Sequence, residues 1–274
     1  MSHRSNTQHK IDWEELLKSS QTGKHKIIHW DYRDQDKLET FWFSDVHWGH
    51  RQCDKDLFLG NVQMCIDREM PCADLGDLIE NATRDSVGSG VYEQEEIADQ
   101  QVQDVLKIYR ELAERGLLKS MQPGNHELRT FKSSGVNLTK FIAHQLGVPC
   151  GNAGLVHHIR VGDQSYIGYT VHGGSAATTV GGKLTALLRL GNVMDADFYV
   201  QGHVHDTLFQ AQQKFEYDKS GKNLKTKNRF FINNGAYLDY WNSYGQVKNY
   251  SPNHKGNAKI TFSGDKRQVE VSFL

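Results

Sequence analysis

The chain has few of the features that would place it in a membrane or outside the cell. No run approaches the roughly 18 apolar residues that a membrane-spanning helix needs. The start of the chain, Met1 to Asn6, is polar and contains no apolar signal core. The four cysteines form no C-x-x-C pair, so thiolates are not expected to bind a metal. We therefore expect a protein without a membrane segment that works in the reducing cytoplasm.

Excess charge of one sign is also lacking. The formal net charge is −1 and the pI is about 6.9, which excludes a bulk basic surface that holds long nucleic acid by counterion release alone. One local exception is the basic segment 214–229, in which lysines are interleaved with Phe215 and Tyr217. Such a mixture is typical of a surface for a nucleic-acid strand, but a solvated hairpin with alternating faces is the favoured interpretation.

No internal repeat, low-complexity tract or proline-rich linker divides the chain. Its 274 residues, 38% of them hydrophobic, are enough to bury a large core as one domain. The first forty residues suggest an appendage, with a short amphipathic helix around Ile11 to Leu17 and a strand near Ile27. We therefore predict an N-terminal appendage over 1–40, packed on the edge of a core domain over 41–274.

Five short polar clusters are the most informative feature that the sequence does contain. In chain order they are Asp45-Val46-His47, Gly76-Asp77, Gly124-Asn125-His126-Glu127, His172 followed by two glycines, and Gly202-His203-Val204-His205. Most of them directly follow a short apolar run that is typical of a β-strand, such as Phe41 to Phe43. Because strand ends meet at one edge of a sheet in layered α/β folds, we expect these side chains to converge.

The residue types in these clusters indicate which ions they would bind. Carboxylate, imidazole and one amide oxygen suit borderline divalent ions such as Mn²⁺, Fe²⁺ or Zn²⁺ better than Ca²⁺. A single carboxylate can touch two ions about 3.5–4 Å apart, which is the geometry used in phosphoryl transfer. Asp77 is the best candidate for that shared ligand.

These clusters together resemble the calcineurin-like metallophosphoesterase superfamily, whose pattern runs Asp-x-His, Gly-Asp, Gly-Asn-His-Glu/Asp, His and Gly-His-x-His. Every element occurs here in that order, from Asp45 to His205. The resemblance implies two ions, with Mn²⁺ favoured and Fe²⁺, Zn²⁺ or Ni²⁺ as alternatives. It implies that Asp45, His47, Asp77 and His205 hold one ion, and that Asp77, Asn125, His172 and His203 hold the other.

The resemblance also implies roles for residues that bind no metal. His126 would protonate the leaving-group oxygen or stabilise developing charge at the scissile phosphate, and Glu80 would orient His126. In phosphoprotein phosphatases of this superfamily an arginine follows the second cluster, whereas this chain has Asn81, which cannot clamp a phosphate. Arg129 is a possible substitute for it, and His50 is a candidate substrate contact from the loop above the metals.

The implied fold is α/β, a four-layer αββα sandwich of two mixed sheets flanked by helices. Helical periodicity is expected between Ile97 and Leu112, with Gly116 as its cap, and again over Leu138 to Leu146 and Lys183 to Leu190. The segment Arg229 to Leu238 and the final Val269 to Phe273 alternate enough to pair with one another in the second sheet.

The leading functional hypothesis is a dinuclear-metal phosphoesterase that hydrolyses a nucleotide or nucleic-acid phosphodiester by attack of an activated hydroxide. The missing Asp-Arg pair favours this hypothesis over a phosphoprotein phosphatase. One alternative is a phosphomonoesterase or pyrophosphatase that acts on a small molecule. A second alternative is a catalytically silent binding module on the same scaffold. The sequence leaves the oligomeric state open.

Overall fold

The computed structural model describes residues 27–84, 86, 90–218, 220–247, 249, 251–252 and 254–274. Its strands are β1 Ile27–Tyr32, β2 Lys37–Phe43, β3 Cys72–Asp74, β4 Leu118–Met121, β5 Gly154–Val161, β6 Gln164–Val171, β7 Phe198–Gln201, β8 Leu208–Tyr217, β9 Leu224–Asn233, β10 Ala258–Ser263 and β11 Val269–Phe273. Its helices are α1 Lys55–Asp67, α2 Gly90–Glu93, α3 Ala98–Glu114, α4 Glu127–Ser134, α5 Leu138–Gln145, α6 Val180–Leu188, α7 Leu190–Val193 and α8 Tyr244–Val247.

These strands form two mixed sheets. The six-stranded sheet has the order β1-β5-β6-β7-β9-β8, and the five-stranded sheet has the order β11-β10-β2-β3-β4. Each sheet contains a parallel trio: β2, β3 and β4, which end at one edge of the five-stranded sheet, and β6, β7 and β9, which lie within the six-stranded sheet. The carboxyl ends of each trio therefore lie at one edge of their sheet.

Alternation along the strands builds the layers. In β2, Trp42 joins a core that both sheets share, whereas Phe41 and Phe43 join the core beneath helices α1, α3 and α5. In β7, Phe198 faces the shared core and Tyr199 packs with Leu187 of α6. Successive side chains on a strand point to opposite faces, so each of these strands contacts two cores. The result is helices, sheet, sheet and helices, which confirms the predicted αββα sandwich.

The helical predictions hold where the periodicity is strong. Helix α3 is followed by its C-cap residue Arg115 and then by Gly116, whose φ of +66° is the left-handed conformation expected of a glycine cap. Helix α5 starts one residue after the N-cap Asn137, whose side chain accepts from the Lys140 amide. The prediction over Lys183 to Leu190 missed the first turn, because α6 begins at Val180 behind the N-cap Thr179.

One strand pairing was predicted wrongly. β9 ends at Asn233 and belongs to the six-stranded sheet, whereas β11 is an edge strand of the five-stranded sheet. The two strands therefore do not pair. β11 instead pairs with β10, and β9 pairs with β7 and β8. Alternation reveals a half-buried strand but carries no information about its partner.

The basic segment forms the predicted hairpin of β8 and β9, and its two faces differ. The register places Phe215 opposite Thr226 and Tyr217 opposite Leu224 on one exposed, uncharged face. The lysines lie on the other face, where Lys214 and Lys227 stand opposite one another and both approach Asp195, at 3.5 and 3.1 Å. Arg229 does stack on Phe231, but that ring is buried, and the exposed aromatic rings lie on the face opposite the cations, which disfavours the interpretation as a nucleic-acid surface.

The helix predicted around Ile11 to Leu17 lies outside the described residues, and the division of the chain at residue 40 stays a prediction. The expected strand near Ile27 is β1, an edge strand that runs parallel to β5. Among the residues that the structure describes, no helix is both long and apolar enough to cross a bilayer.

Candidate metal centre

All five polar clusters lie just beyond the carboxyl ends of the two parallel trios. Asp45, Asp77 and Asn125 follow β2, β3 and β4, while His172 and His203 follow β6 and β7. Main-chain bonds tie the loops together, since the Asp45 amide donates to Gly76 O at 3.0 Å and the Gly202 amide donates to His172 O at 3.0 Å. The two sheets thus place side chains that are up to 160 residues apart at one edge.

Three acceptor atoms meet around His172. Its Nδ1 lies 3.0 Å from the carbonyl oxygen of Leu75, so this nitrogen carries the proton and donates. The Nε2 atom then points at Asp77 Oδ2 and Asn125 Oδ1, each 3.1 Å away. Without a metal ion a second proton on Nε2 stabilises this convergence, and a metal ion that replaced the proton would meet the same three atoms. The donor set therefore fits a metal ion, and His203 lies within reach of the same point.

A second convergence forms around His47. Its Nδ1 donates to Glu80 Oε2 at 3.1 Å, which leaves Nε2 with a lone pair. That Nε2 lies 3.1 Å from His205 Nε2, and His205 Nε2 lies 3.2 Å from Asp45 Oδ1. Burial and the neighbouring His126 lower the pKa of His47 to about 4, so the ring is neutral near pH 7 and able to ligate.

Asp77 lies between these two groups. Ligand atoms of Asp77, His172 and His203 lie within 4.8 Å of one another, and so do those of Asp77, His47 and His126. The Asp77 side chain is 1% exposed, and its other oxygen accepts from the His126 amide at 2.8 Å. This hydrogen bond fixes the carboxylate so that one oxygen faces inward. The structure therefore places Asp77 where a shared ligand is expected.

The backbone is strained at this site. Six of the nine non-glycine residues with positive φ in the described part of the chain belong to it: Asp45, His47, Asp77, Asn81, His203 and His205. Each such residue costs on the order of 1–3 kcal/mol. Gly76 has a φ of +100°, and a Cβ there would run into the backbone of Gly124. The strained backbone therefore lowers local stability, and it orients several side chains towards one point.

Glu127 holds this strained loop, a role that the sequence did not reveal. Its carboxylate is 2% exposed and accepts four main-chain bonds, from Asp77, Leu78, Ile79 and Gly124, at 2.8–3.2 Å. The position of Glu127 in the Gly-Asn-His-Glu cluster was the only signal available. Because the backbone amides of two separate loops bind one carboxylate, Glu127 fixes the second cluster against the third.

His126 lies at the edge of the cluster, with a ring nitrogen within 4.8 Å of ligand atoms of His47 and Asp77. Its Nδ1 donates to the carbonyl oxygen of Glu80 at 2.7 Å, and its Nε2 lies 2.9 Å from Arg129 Nη2. Arginine only donates, so this contact belongs to the neutral form of His126, in which Nε2 accepts from Arg129. Asp77 Oδ2 is farther from this nitrogen, at 3.8 Å. His126 therefore stands at the rim of the centre with Nε2 next to a cation.

Glu80 contacts both functional histidines. Its Oε2 lies 3.1 Å from His47 Nδ1 and 3.3 Å from His126 Nδ1, and its Oε1 lies 3.3 Å from Arg129 Nη1. Burial raises the pKa of Glu80, but hydrogen bonds from His126 and His47 outweigh it and hold that pKa well below the usual range. The ionised carboxylate thus orients one candidate ligand and one candidate proton donor together.

Without metal ions, the nearby carboxylates favour a second proton on His172 and on His126, and a proton on His126 Nε2 would break the contact with Arg129. Burial lowers the pKa of His172, but the Asp77 carboxylate outweighs burial and raises that pKa to about 10. Burial likewise lowers the pKa of His126, and Asp77 and Glu80 raise it to about 9 against the opposing charge of Arg129. Protons therefore compete with metal ions for this cluster, and bound cations would lower both pKa values by neutralising Asp77.

The remaining predicted residues are placed as follows. Arg129 lies on the first turn of α4 beside His126, with its Nη1 also 2.9 Å from the Glu80 carbonyl oxygen. Asn81 donates to the His126 carbonyl oxygen at 2.6 Å and accepts from Thr130, so it braces the loop. His50 is 7% exposed, and its Nδ1 accepts from the Gln52 amide at 3.0 Å. One ring nitrogen of His50 is therefore occupied by a hydrogen bond within its own loop.

Comparisons with known proteins give likeness of fold only. No family profile and no curated protein sequence matches the chain. A predicted phosphoesterase from Streptococcus pneumoniae is 13% identical, with 86% of this chain and 90% of that chain covered and a TM-score of 0.38. Vps29 from Cryptosporidium parvum is 14% identical, with 88% and 99% covered and a TM-score of 0.38.

A zinc complex of wild-type Vps29 from Entamoeba histolytica is also similar, at 14% identity, with 86% of this chain and 98% of that chain covered and a TM-score of 0.34. TM-scores this low tell nothing about activity. The resemblance to calcineurin-like metallophosphoesterases is instead carried by the five motifs, the αββα layers and the convergence of the motifs at one edge. The His/Asp groups are able to hold divalent metal ions.

Proposed function

We propose that this protein is a dinuclear-metal phosphoesterase. The observation that carries the proposal is the meeting of acceptor atoms from both sheets at the carboxyl edges, with His126 and Arg129 beside them. One ion would be held by Asp45, His47, Asp77 and His205, and the other by Asp77, Asn125, His172 and His203. Two such ions supply a water of lowered pKa and neutralise phosphate charge.

The residues of the chain would divide the remaining work. His126 would stand at the leaving-group oxygen and give it a proton from Nε2, while its Nδ1 stays bonded to the Glu80 carbonyl oxygen. Arg129 would turn from Nε2 to a phosphate oxygen when substrate enters, since a phosphate is a stronger acceptor than an imidazole. Glu80 would keep both side chains in place through its carboxylate and its carbonyl oxygen.

The proposed substrate is a nucleotide or nucleic-acid phosphodiester, and Mn²⁺ is the proposed ion. Support for a diester comes from Asn81, which occupies the place of a clamping arginine and is committed to the His126 carbonyl oxygen and Thr130. With one arginine at the rim rather than two, the site suits the single negative charge of a diester. Carboxylates, imidazoles and an amide oxygen suit Mn²⁺.

A phosphomonoesterase is the second candidate, and Arg129 is the observation that favours it. A guanidinium fork binds two oxygens of a terminal phosphate well, and the Arg129 side chain is 23% exposed at the rim of the site. His50, close to the same rim, would contact the rest of the substrate in either case.

The test compares turnover of an aryl phosphodiester with the matching monoester in the presence of Mn²⁺. The proposal expects faster hydrolysis of the diester, and it expects removal of the metal by a chelator to abolish turnover. Preference for the monoester would favour the second candidate. Failure to hydrolyse any member of a panel of nucleotides, cyclic nucleotides and oligonucleotides, with two ions bound per chain, would contradict catalysis and favour a binding module.

A further inference from the structure

A groove unrelated to the metal centre opens at the other end of the five-stranded sheet. It has a volume of about 670 Å³, within the range that holds a nucleotide-sized molecule. Its walls come from the amino ends of the parallel trio, where β2 starts at Lys37 and where Pro71 and Leu117 precede β3 and β4. The metal ligands follow the opposite ends of these strands. At about 3.3 Å per residue, the length of β2 separates the two places by about 20 Å.

The groove collects positive charge. Four cationic side chains line it, against the carboxylates of Glu39 and Glu69. Glu39 is already bound by Lys259 Nζ, at 3.0 Å. Among the cations, Arg115 is paired with Glu111, and Arg68 is the C-cap residue of α1, with its charge acting on Glu39. These neighbours explain the two arginines in part, but they do not explain the lysines.

Lys37 and Lys119 come from strands, so no helix end accounts for them. The Lys119 ammonium lies 5.3 Å from the centre of the Tyr32 ring. Within the described part of the chain, no carboxylate pairs with the Lys119 ammonium, whereas the charge of Lys37 acts on Glu39 without a direct ion pair. Burial lowers the pKa of Lys119, as expected for a partly desolvated cation without a counter-charge. A cation in this state gains most from an anion that arrives from outside.

Most of the accessible surface of the groove is polar. Leu38, Met70 and Leu117 line it but are almost fully buried, so the half-buried Tyr32 ring is the apolar surface left for a ligand with a flat apolar part. Cations from three separate elements, Lys37 on β2, Arg68 after α1 and Lys119 on β4, suit the several oxygens of a phosphate better than the two of a carboxylate.

We propose that this groove binds a small phosphate-bearing ligand of nucleotide size, with Lys37, Arg68 and Lys119 on the phosphates and Tyr32 beside the apolar part. The proposal does not depend on the activity at the metal centre, because the two places share no residue.

The experiment is isothermal titration of the full chain with pyrophosphate and with ADP, in a chelator that keeps metal ions and their phosphate ligands out of the other site. Both probes are expected to bind, ADP more tightly. Lys119→Gln, which keeps most of the aliphatic stem, is expected to weaken binding about tenfold or more, the scale of one charged hydrogen bond. The exposed Lys37→Gln should act in the same direction. Lys107→Gln is the matched control, since Lys107 lies on α3 and pairs with Asp104 at 3.2 Å.

Three results would overturn the proposal. The first is that neither probe binds at millimolar concentration. The second is that Lys37→Gln and Lys119→Gln, both folded by circular dichroism, bind ADP as tightly as the unmodified chain. The third is that hexathymidylate binds and ADP does not, which would make the groove a surface for a nucleic-acid strand. If Lys107→Gln weakened ADP binding as much as Lys119→Gln does, the proposal would fail as well, because the weakening would then reflect net charge and not contacts in the groove.

Discussion

Replacement of Asp77 by asparagine tests the central feature of the site, a carboxylate that two ions share. The change is local because Asp77 Oδ1 accepts from the His126 amide at 2.8 Å, and an amide oxygen is able to do the same. What is lost is one negative charge at Oδ2, which lies 3.1 Å from His172 Nε2. The expected result is that both ions bind more weakly, together.

The size of the effect follows from electrostatics. A unit charge about 4 Å from a divalent ion contributes about 8 kcal/mol at an effective dielectric constant of about 20. The smaller cost of burying an amide than a carboxylate offsets much of this. We therefore expect each ion to bind at least about a hundredfold more weakly, which corresponds to about 2.7 kcal/mol.

The assay is elemental analysis of the chain after dialysis against Mn²⁺, followed by calorimetric titration of the metal. Asp45→Asn is the matched control, since Asp45 is proposed to touch one ion and lies 3.2 Å from His205 Nε2. In that control, one ion should weaken well before the other. Retention of one ion at full affinity in Asp77→Asn would refute the shared ligand.

The other predictions concern proton transfer, phosphate binding and pH. His126→Asn should keep both ions and cut kcat about a hundredfold or more, the scale of a lost general acid. Arg129→Gln should raise KM about tenfold with both ions retained, because it removes one charged hydrogen bond to the phosphate. Apparent metal affinity, followed by titration between pH 6 and 9, should rise with pH, because the pKa of His172 is raised to about 10 and its proton must leave. Unfolding free energy should fall by about 2 kcal/mol from pH 6.5 to 4.5 through His157, whose pKa burial lowers to about 3.

Each of these has a result that contradicts it. Near-normal kcat in His126→Asn removes that residue from the mechanism, and an unchanged KM in Arg129→Gln removes Arg129 from phosphate binding. Metal affinity that is flat with pH argues against competition by protons. The sign for His157 follows from a folded pKa below the unfolded value of about 6.5, so stability is complete above that value and is lost as pH falls. His157→Gln should flatten urea-unfolding stability over that range, and a slope equal to that of the unmodified chain would exclude His157 as its source.

Strong local patterns were enough to predict much of the fold. The apolar runs before Asp45, His172 and His203 are strands β2, β6 and β7, and the periodicity from Ile97 to Leu112 is helix α3. Weaker patterns were missed. β4 reads Leu118-Lys119-Ser120-Met121, and half of its residues are polar, so it lacks the apolar run expected of a buried strand. Helices α1 and α4 were missed as well. The apolar periodicity of α1 is weak, and packing of residues such as Phe58 and Val62 in the core stabilises it.

The candidate site divides in the same way. The sequence identified the residues of the site, because the polar residue types recur beside glycines in a fixed order. It did not reveal the contacts of Glu127 and Arg129, because these depend on which groups the folded neighbours present. Glu127 accepts from four backbone amides, and Arg129 contacts the Glu80 carbonyl oxygen and His126 Nε2.

By itself, the amino-acid sequence determined the chemical identity of the cluster and its place after strand ends, since side-chain chemistry and strand periodicity are local properties. Tertiary structure alone decided that β9 and β11 lie in different sheets, that the exposed aromatic rings of the hairpin lie opposite its cations, and that Lys119 is half-buried beside Tyr32 with no carboxylate partner among the residues that the structure describes. These outcomes depend on contacts between residues far apart in the chain, and no local pattern records which distant segments will meet.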